Sequence, residues 1–297
     1  MRKNTILKKV NIYGIICFIV LFLYSLLFAS SLLWGLLTSL KTRIDYASNM
    51  LWLPNEGWQF ANYLRAFDNF FFEITTATGK ITYYYMDMLI NSILYAVGCT
   101  FFATMVPCLV AYATVKYKFR FNKFINAAVI FAMAVPIVGA LPSEIRIARA
   151  LGFYDNLIGM WLMKANFLGM YYLIFQANFK SLPWEYAESV FIDGGGHYTV
   201  LFKIMLPLSK TTIWVVAMLL FIQFWNDYQT PMMFIPSMPT AAIGLYKFRF
   251  VNISQANFGG VPMQMTGCII LMLPMMILFM FIKDKMMGNL TLGGLKG

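Results

Sequence analysis

The sequence predicts an all-α integral membrane protein of about six transmembrane helices, and three observations carry that prediction. First, 60% of the 297 residues are hydrophobic and only 12% are charged, whereas a soluble domain carries roughly a quarter charged residues to keep its surface wet. The mean hydropathy is accordingly high, +0.68. Second, the apolar residues come in blocks too long for the core helices of a soluble protein, as a bilayer requires. Third, the charges sit in short tufts between those blocks. A net charge of +11 would suit nucleic acid, but no basic stripe with interleaved aromatics exists. The placement of the charges selects the lipid bilayer as partner and excludes nucleic acid.

Residues 1–11 form a basic N-terminal segment, and residues 12–297 are expected to be a single transmembrane domain. The first block, Ile12 to Leu40, is 29 residues without a charge, far longer than the apolar region of a signal peptide, and no small-residue cleavage site closes it. It is expected to be a retained first helix. The second block spans residues 88–115 and the third 125–143. Pro136 and Pro142 in the third are tolerable where neighbouring helices re-satisfy the freed carbonyls. The fourth, 157–179, is the weakest, because Lys164 interrupts it; the fifth spans 211–235 and the sixth 263–282.

An even number of spans puts both ends on one side. The loop from Lys116 to Lys123 carries four positive charges and no acid, and the positive-inside rule places it, with both termini, in the cytoplasm. The segment 41–87 then lies outside. It is rich in aromatics, among them Trp52, Trp58, Tyr63, Phe70, Phe71, Tyr83 and Tyr84. Either an interfacial aromatic belt or a docking surface for an extracellular partner accounts for it.

The inside segment 181–210 is unusual for a loop. Trp184, Ala187, Glu188 and Phe191 share one face of a helix, Gly194, Gly195 and Gly196 break the chain, and Tyr198, Leu201, Phe202 and Met205 repeat the spacing until Pro207. Two amphipathic helices at a glycine hinge could lie in the headgroups or dock a protein. Glu185, Glu188 and Asp193 stand against few basic residues, which anionic lipid disfavours, so docking is the better reading.

This segment resembles the cytoplasmic signature of ABC importer permeases, EAA-x3-G-x9-I-x-LP. Glu188, Gly194, Ile204, Leu206 and Pro207 stand at that spacing, Asp193 precedes the glycine as usual, and Ser189 and Val190 replace the two alanines. Asn91-Ser92, the run Phe224-Trp225-Asn226-Asp227-Tyr228 and the ending Gly293 to Gly297 are similar to the binding-protein-dependent carbohydrate branch, the maltose-type inner-membrane permeases. The resemblance implies a type I ABC importer permease fold whose cytoplasmic coupling helix lies in a groove of an ATPase. Glu188, Ser189, Val190, Asp193, Gly194, Ile204, Leu206 and Pro207 would carry the coupling. It further implies a second permease subunit in a heterodimer, an ABC ATPase dimer holding ATP and Mg, and an extracellular sugar-binding protein delivering a di- or oligosaccharide. The expected site is the bacterial plasma (inner) membrane. No cofactor is expected on this chain, and a non-sugar solute is the alternative cargo.

Asn226, Asp227, Tyr228 and Gln229 form a polar cluster in the fifth block. An intramembrane carboxylate is expensive, so the cluster either lines a sugar path or fixes the fifth helix to a neighbour. Glu144, Arg146 and Arg149 are expected to pair along a helix on the outer side in a structural role, and His197 is taken as a solvated loop residue. Cys17, Cys99, Cys108 and Cys268 lie inside apolar segments without CxxC spacing and are taken as small core residues. Gly79-Lys80 lacks the second glycine and the Ser or Thr of a phosphate-binding loop, so ATP hydrolysis belongs to a partner, and no nucleophile–base or metal set suggests an enzyme. A secondary transporter would show intramembrane charge pairs or inverted repeats, and neither is present.

Overall fold

The structure, a computed structural model, describes residues 12–76, 79–135, 139–251 and 260–287. The basic N-terminal tuft, Pro136 and the glycine-rich ending Gly293 to Gly297 lie outside the described residues. Helices dominate. They are α1 (Ile12–Ser39), α2 (Arg43–Ser48), α3 (Ala61–Asp68), α4 (Tyr85–Lys116), α5 (Asn122–Ala134), α6 (Leu141–Ala150), α7 (Leu157–Met163), α8 (Met170–Ser181) and α9 (Glu185–Ile192). After these come α10 (His197–Leu208), α11 (Lys210–Asn226), α12 (Gln229–Phe234), α13 (Ala241–Val251) and α14 (Val261–Met287). By length and composition, α1, α4 and α14 can each cross a membrane alone.

The chain divides into two compact units. One holds residues up to Asn69 together with Phe248–Ile270. Here α1 is exposed from Tyr13 to Leu33, and only its C-terminal end is buried. The Thr266 hydroxyl donates to the Ser39 carbonyl at 3.2 Å, and the Asn62 amide donates to the carbonyls of Ser39 and Lys41, both at 2.9 Å. Those bonds answer the C-terminal carbonyls of α1, which no intrahelical donor reaches. Thr42 caps α2 by accepting from the Asp45 N–H.

The other unit, Phe70–Lys247 with Leu271–Gly297, is built on α4. This helix packs most extensively against α8 and α11, burying Tyr95, Cys99, Cys108, Phe175, Phe179 and Phe221. Between helices in lipid there is little hydrophobic drive, so close packing and polar pairs hold them together. One such contact is Gly98, where an added Cβ would lie 2.0 Å from Cε2 of Trp161; the indole N–H donates to the Leu94 carbonyl at 3.2 Å. Another is Tyr172, whose hydroxyl meets Thr114 at 2.8 Å and donates to Asn126 at 3.0 Å, tying α8 to α4 and α5.

Two features depart from the sequence prediction. The outside segment contains an antiparallel hairpin, β1 (Phe71–Thr76) and β2 (Gly79–Tyr84), in register Phe71 with Tyr84. Its Phe, Ile, Thr and Tyr content is strand-forming, a signal that neither the belt nor the docking-surface expectation uses. Phe70 and Tyr85 at its base are buried, with ring centroids 5.2 Å apart, while Trp52 and Trp58 in the other unit are exposed.

The third, fourth and fifth spans are not continuous helices. The third ends at Ala134, and a separate α6 begins at Leu141 with Pro142 in its first turn, the position where a proline costs nothing. The fourth stops at Met163 with Lys164 as its cap and resumes at Met170. The fifth stops at Asn226, because Asp227 is extended (ψ 112°), and resumes at Gln229.

Candidate functional site

The loop 181–210 is built around a helix stop. In α9, Ala187 is fully buried, Trp184 and Phe191 are half-buried, and Glu188 and Ser189 are exposed. Asp193 caps the helix, and Gly194 follows with φ +80°, in the left-handed region. The Gly194 N–H donates to the Phe191 carbonyl at 3.0 Å and the Gly195 N–H to the Val190 carbonyl at 2.8 Å. This pair of bonds is the Schellman motif, which satisfies the last carbonyls of a helix and favours glycine at the left-handed position. Gly195 has a different reason: a Cβ there would lie 2.5 Å from Cγ1 of Val190. Ser189 turns its hydroxyl back to the Tyr186 carbonyl at 3.0 Å.

The second helix, α10, is π-helical from Val200 to Met205. Leu206 donates to Leu201, five residues back. The wide turn suits Pro207, which has no N–H and whose ring would crowd the Lys203 carbonyl in a regular α-turn. Ile204 and Leu206 are half-buried and Met205 fully buried, whereas Tyr198 and Phe202 are 80% and 61% exposed. Ile192, at the end of α9, is 86% exposed. The sequence spacing grouped Tyr198, Leu201, Phe202 and Met205 on one face; the structure gives Met205 to the core and leaves the two aromatics free.

At Ser209 the chain bends by 69° from α10 into α11. Ser209 is buried, and its hydroxyl accepts from the Asn178 amide at 2.7 Å, while the Thr212 hydroxyl donates to the Asn178 carbonyl oxygen at 2.9 Å. Sequence reasoning missed Asn178, although a polar residue in an apolar block is itself a signal. His197 also differs from expectation. It is exposed but partnered: its Nδ1 lies 3.0 Å from the Tyr117 hydroxyl, and its ring meets Phe191 edge-on at 5.0 Å. Tyr117 in turn meets Trp184 at 5.9 Å, so the loop is seated on the end of α4 through aromatic edges.

The polar cluster of the fifth span is divided by the break that it creates. Asp227 is half-buried; it accepts from the Tyr95 hydroxyl at 3.1 Å and from the Thr230 N–H at 3.0 Å. Tyr228 stacks on Tyr246 with centroids 4.6 Å apart, and Asn226 donates to the Ile222 carbonyl at 2.8 Å. Only Gln229 of the four lines the neighbouring cavity, a space of about 700 Å³ bounded also by Glu144, Lys164, Asn166, Thr230 and Phe234. Glu144 is not paired with Arg146 or Arg149, since offsets of two and five residues do not meet on a helix. Instead, Arg149 lies over the Tyr154 ring at 4.5 Å. Among the described residues no metal-binding cluster is present.

No family model matches the chain. Individual relatives do. It is 27% identical to the maltodextrin transport system permease protein of Bacillus subtilis over 72% of this chain and 76% of that one. It is 25% identical to the sulfoquinovosyl glycerol transport system permease protein of Agrobacterium fabrum, over 89% of this chain and 88% of that one. Its fold is similar to a chain of a bacterial ABC transporter involved in the import of the acidic polysaccharide alginate, with a TM-score of 0.71 and 20% identity over 92% of this chain and 96% of that one.

Proposed function

We propose that this multi-pass membrane protein, which resembles the permease subunits of binding-protein-dependent carbohydrate ABC importers, is itself such a subunit and carries a carbohydrate across the bacterial inner membrane. Its partners are a second permease, a pair of ATPase subunits that hold ATP and Mg, and an extracellular sugar-binding protein. Both termini face the cytoplasm, residues 12–297 act as one transmembrane domain, and this chain performs no hydrolysis. The observation that carries the reading is the loop at the signature spacing: a helix stopped by Asp193 and Gly194, followed by a bend fixed to the membrane helices through Asn178.

In this reading α9 lies in a groove of the ATPase. Glu188 makes a polar contact there, and exposed Ile192, Tyr198 and Phe202 supply apolar contact area. Closure of the ATPase pair on ATP pulls the loop, and the packed bend passes that displacement into α11. The relatives' carbohydrate cargo supports a saccharide here, with Asn226, Asp227, Tyr228 and Gln229 as the path candidates.

The experiment is uptake by the reconstituted importer of radiolabelled maltotriose, trehalose and raffinose, with and without ATP. Glu188→Lys should abolish ATP-dependent uptake while the chain still inserts in the membrane. Wild-type uptake in that variant would remove Glu188 from the coupling contact.

A further inference from the structure

Three apolar blocks are broken, and all three breaks open on one cavity. It is lined by Leu141 and Glu144 where α6 begins, by Lys164 and Asn166 where α7 has ended, and by Gln229 and Thr230 where α12 begins. Irregular backbone inside apolar spans is tolerated only where it is buried in protein or lines a water-accessible space. Its convergence from three separate parts of the sequence marks that space as the reason for the breaks. Broken helices around a cavity are also how membrane transporters expose backbone and polar side chains to a solute.

The two charged side chains there lack a charged partner among the described residues, while the Asn166 carbonyl oxygen accepts from the Leu168 N–H at 2.8 Å and the Gln229 amide donates to the Tyr228 hydroxyl at 3.4 Å. Among the described residues the ion pair within 4.0 Å joins Glu73 and Lys80, far along the chain, so neither Lys164 nor Glu144 has a charged partner. The Lys164 ammonium is half-buried and sits 5.8 Å from the centre of the Phe224 ring, and among the described residues no carboxylate lies within pairing distance. A charge in an apolar span is costly and is kept where it does something. By contrast Asp227, Tyr228 and Asn226 are already engaged with Tyr95, Tyr246 and Ile222.

We propose that this cavity is a saccharide-binding site of the chain itself, taking a neutral, hydroxyl-rich sugar held between Lys164 and Glu144; the proposal rests on the importer reading above. One cation and one carboxylate leave the lining without net charge, which disfavours an ionic cargo. The carboxylate accepts from hydroxyls and the ammonium donates to them, while the Asn166 amide keeps its NH2 donors and the Gln229 amide its carbonyl acceptor for further hydroxyls. Met160 and Phe234 supply apolar wall for the C–H faces of a sugar ring. The volume of about 700 Å³ falls within the range of small-molecule sites and admits a short saccharide.

The test uses the whole importer in proteoliposomes with its ATPase and binding protein, measuring uptake of radiolabelled maltotriose, trehalose, raffinose and digalacturonate beside ATP hydrolysis. Lys164→Met and Glu144→Gln should each lower uptake of the transported neutral sugar by about tenfold or more, the size of one charge-assisted hydrogen bond, while binding-protein-stimulated ATP hydrolysis stays within about twofold. Arg146→Gln, on the same helix as Glu144 but outside the cavity, should match wild type. Wild-type uptake in both cavity variants overturns the site alone. A parallel loss of uptake and ATP hydrolysis in Lys164→Met, Glu144→Gln and Gln229→Ala assigns these residues to structure and also overturns it. Import of digalacturonate only, lost in Lys164→Met, overturns the neutral class. A wild-type importer that moves none of the four with ATP overturns the carbohydrate reading itself, and the site with it.

Discussion

Gly194 is held at φ +80° with nothing within 4 Å of where a Cβ would stand, so its requirement is conformational rather than steric. A β-branched residue there would pay about 1–3 kcal/mol of backbone strain or give up the helix stop. Gly194→Val should therefore lose coupled transport with the chain still in the membrane, and Gly194→Asn should recover much of it, because Asn tolerates the left-handed region. Equal uptake by the two variants would show that the stop does not need this conformation. Gly98 poses the opposite case, a contact with no room: its would-be Cβ lies 2.0 Å from Trp161. Gly98→Leu should destabilise the α4–α7 contact by about 1–3 kcal/mol through overpacking, read as a lower melting temperature in detergent. An unchanged melting temperature would mean that Trp161 moves aside freely.

At the level of elements, what was legible in the sequence was what is local. The stop at Asp193-Gly194, the two-helix loop and the long helices α1, α4 and α14 are written in adjacent residues, and each was placed within a few positions. The breaks in the third, fourth and fifth spans are not anticipated from the sequence, although Pro142, Lys164 and Asp227 are singled out there and Lys164 is taken as an interruption. A block that is apolar on all sides carries no periodic face, so nothing in it distinguishes one helix from two. The breaks meet at a cavity lined by residues from 141 to 234, and no spacing rule reaches across that distance. Asn178 was hidden for the same reason, since its partners Ser209 and Thr212 lie more than thirty positions on. The bend it grips joins the loop to α11, which leads to a prediction. Asn178→Leu removes both bonds and leaves the buried Ser209 hydroxyl without that donor, a cost on the order of 1–3 kcal/mol. It should weaken the link between ATP hydrolysis and uptake, lowering the number of sugars moved per ATP. If that ratio is preserved, the bend is not the transmitting joint.

For the whole molecule, the decisive fact is how much apolar surface the chain does not cover by itself. Residues Tyr13 to Leu33 of α1 are exposed, and so, in the other unit, are Ile192, Tyr198 and Phe202 on the loop 181–210. Lipid can cover the first surface, whereas the second carries carboxylates at Glu185, Glu188 and Asp193 that anionic headgroups disfavour. An exposed apolar patch rimmed by polar residues marks a protein or membrane contact, and the carboxylates favour a protein here. A partner that binds only the folded chain also stabilises it by mass action. Gentle purification from native membranes should therefore recover the chain with a second multi-span permease and a nucleotide-binding subunit, and the assembly should melt at a higher temperature than the chain alone. Glu188→Lys should release the nucleotide-binding subunit while the second permease stays attached, because the reversed charge lies on the loop and not on the apolar helices. Loss of both partners together would mean that the loop organises the permease pair rather than the ATPase contact. Recovery of a solitary, stable chain that moves sugar without ATP would return the loop to the membrane surface and make the chain a transporter in its own right.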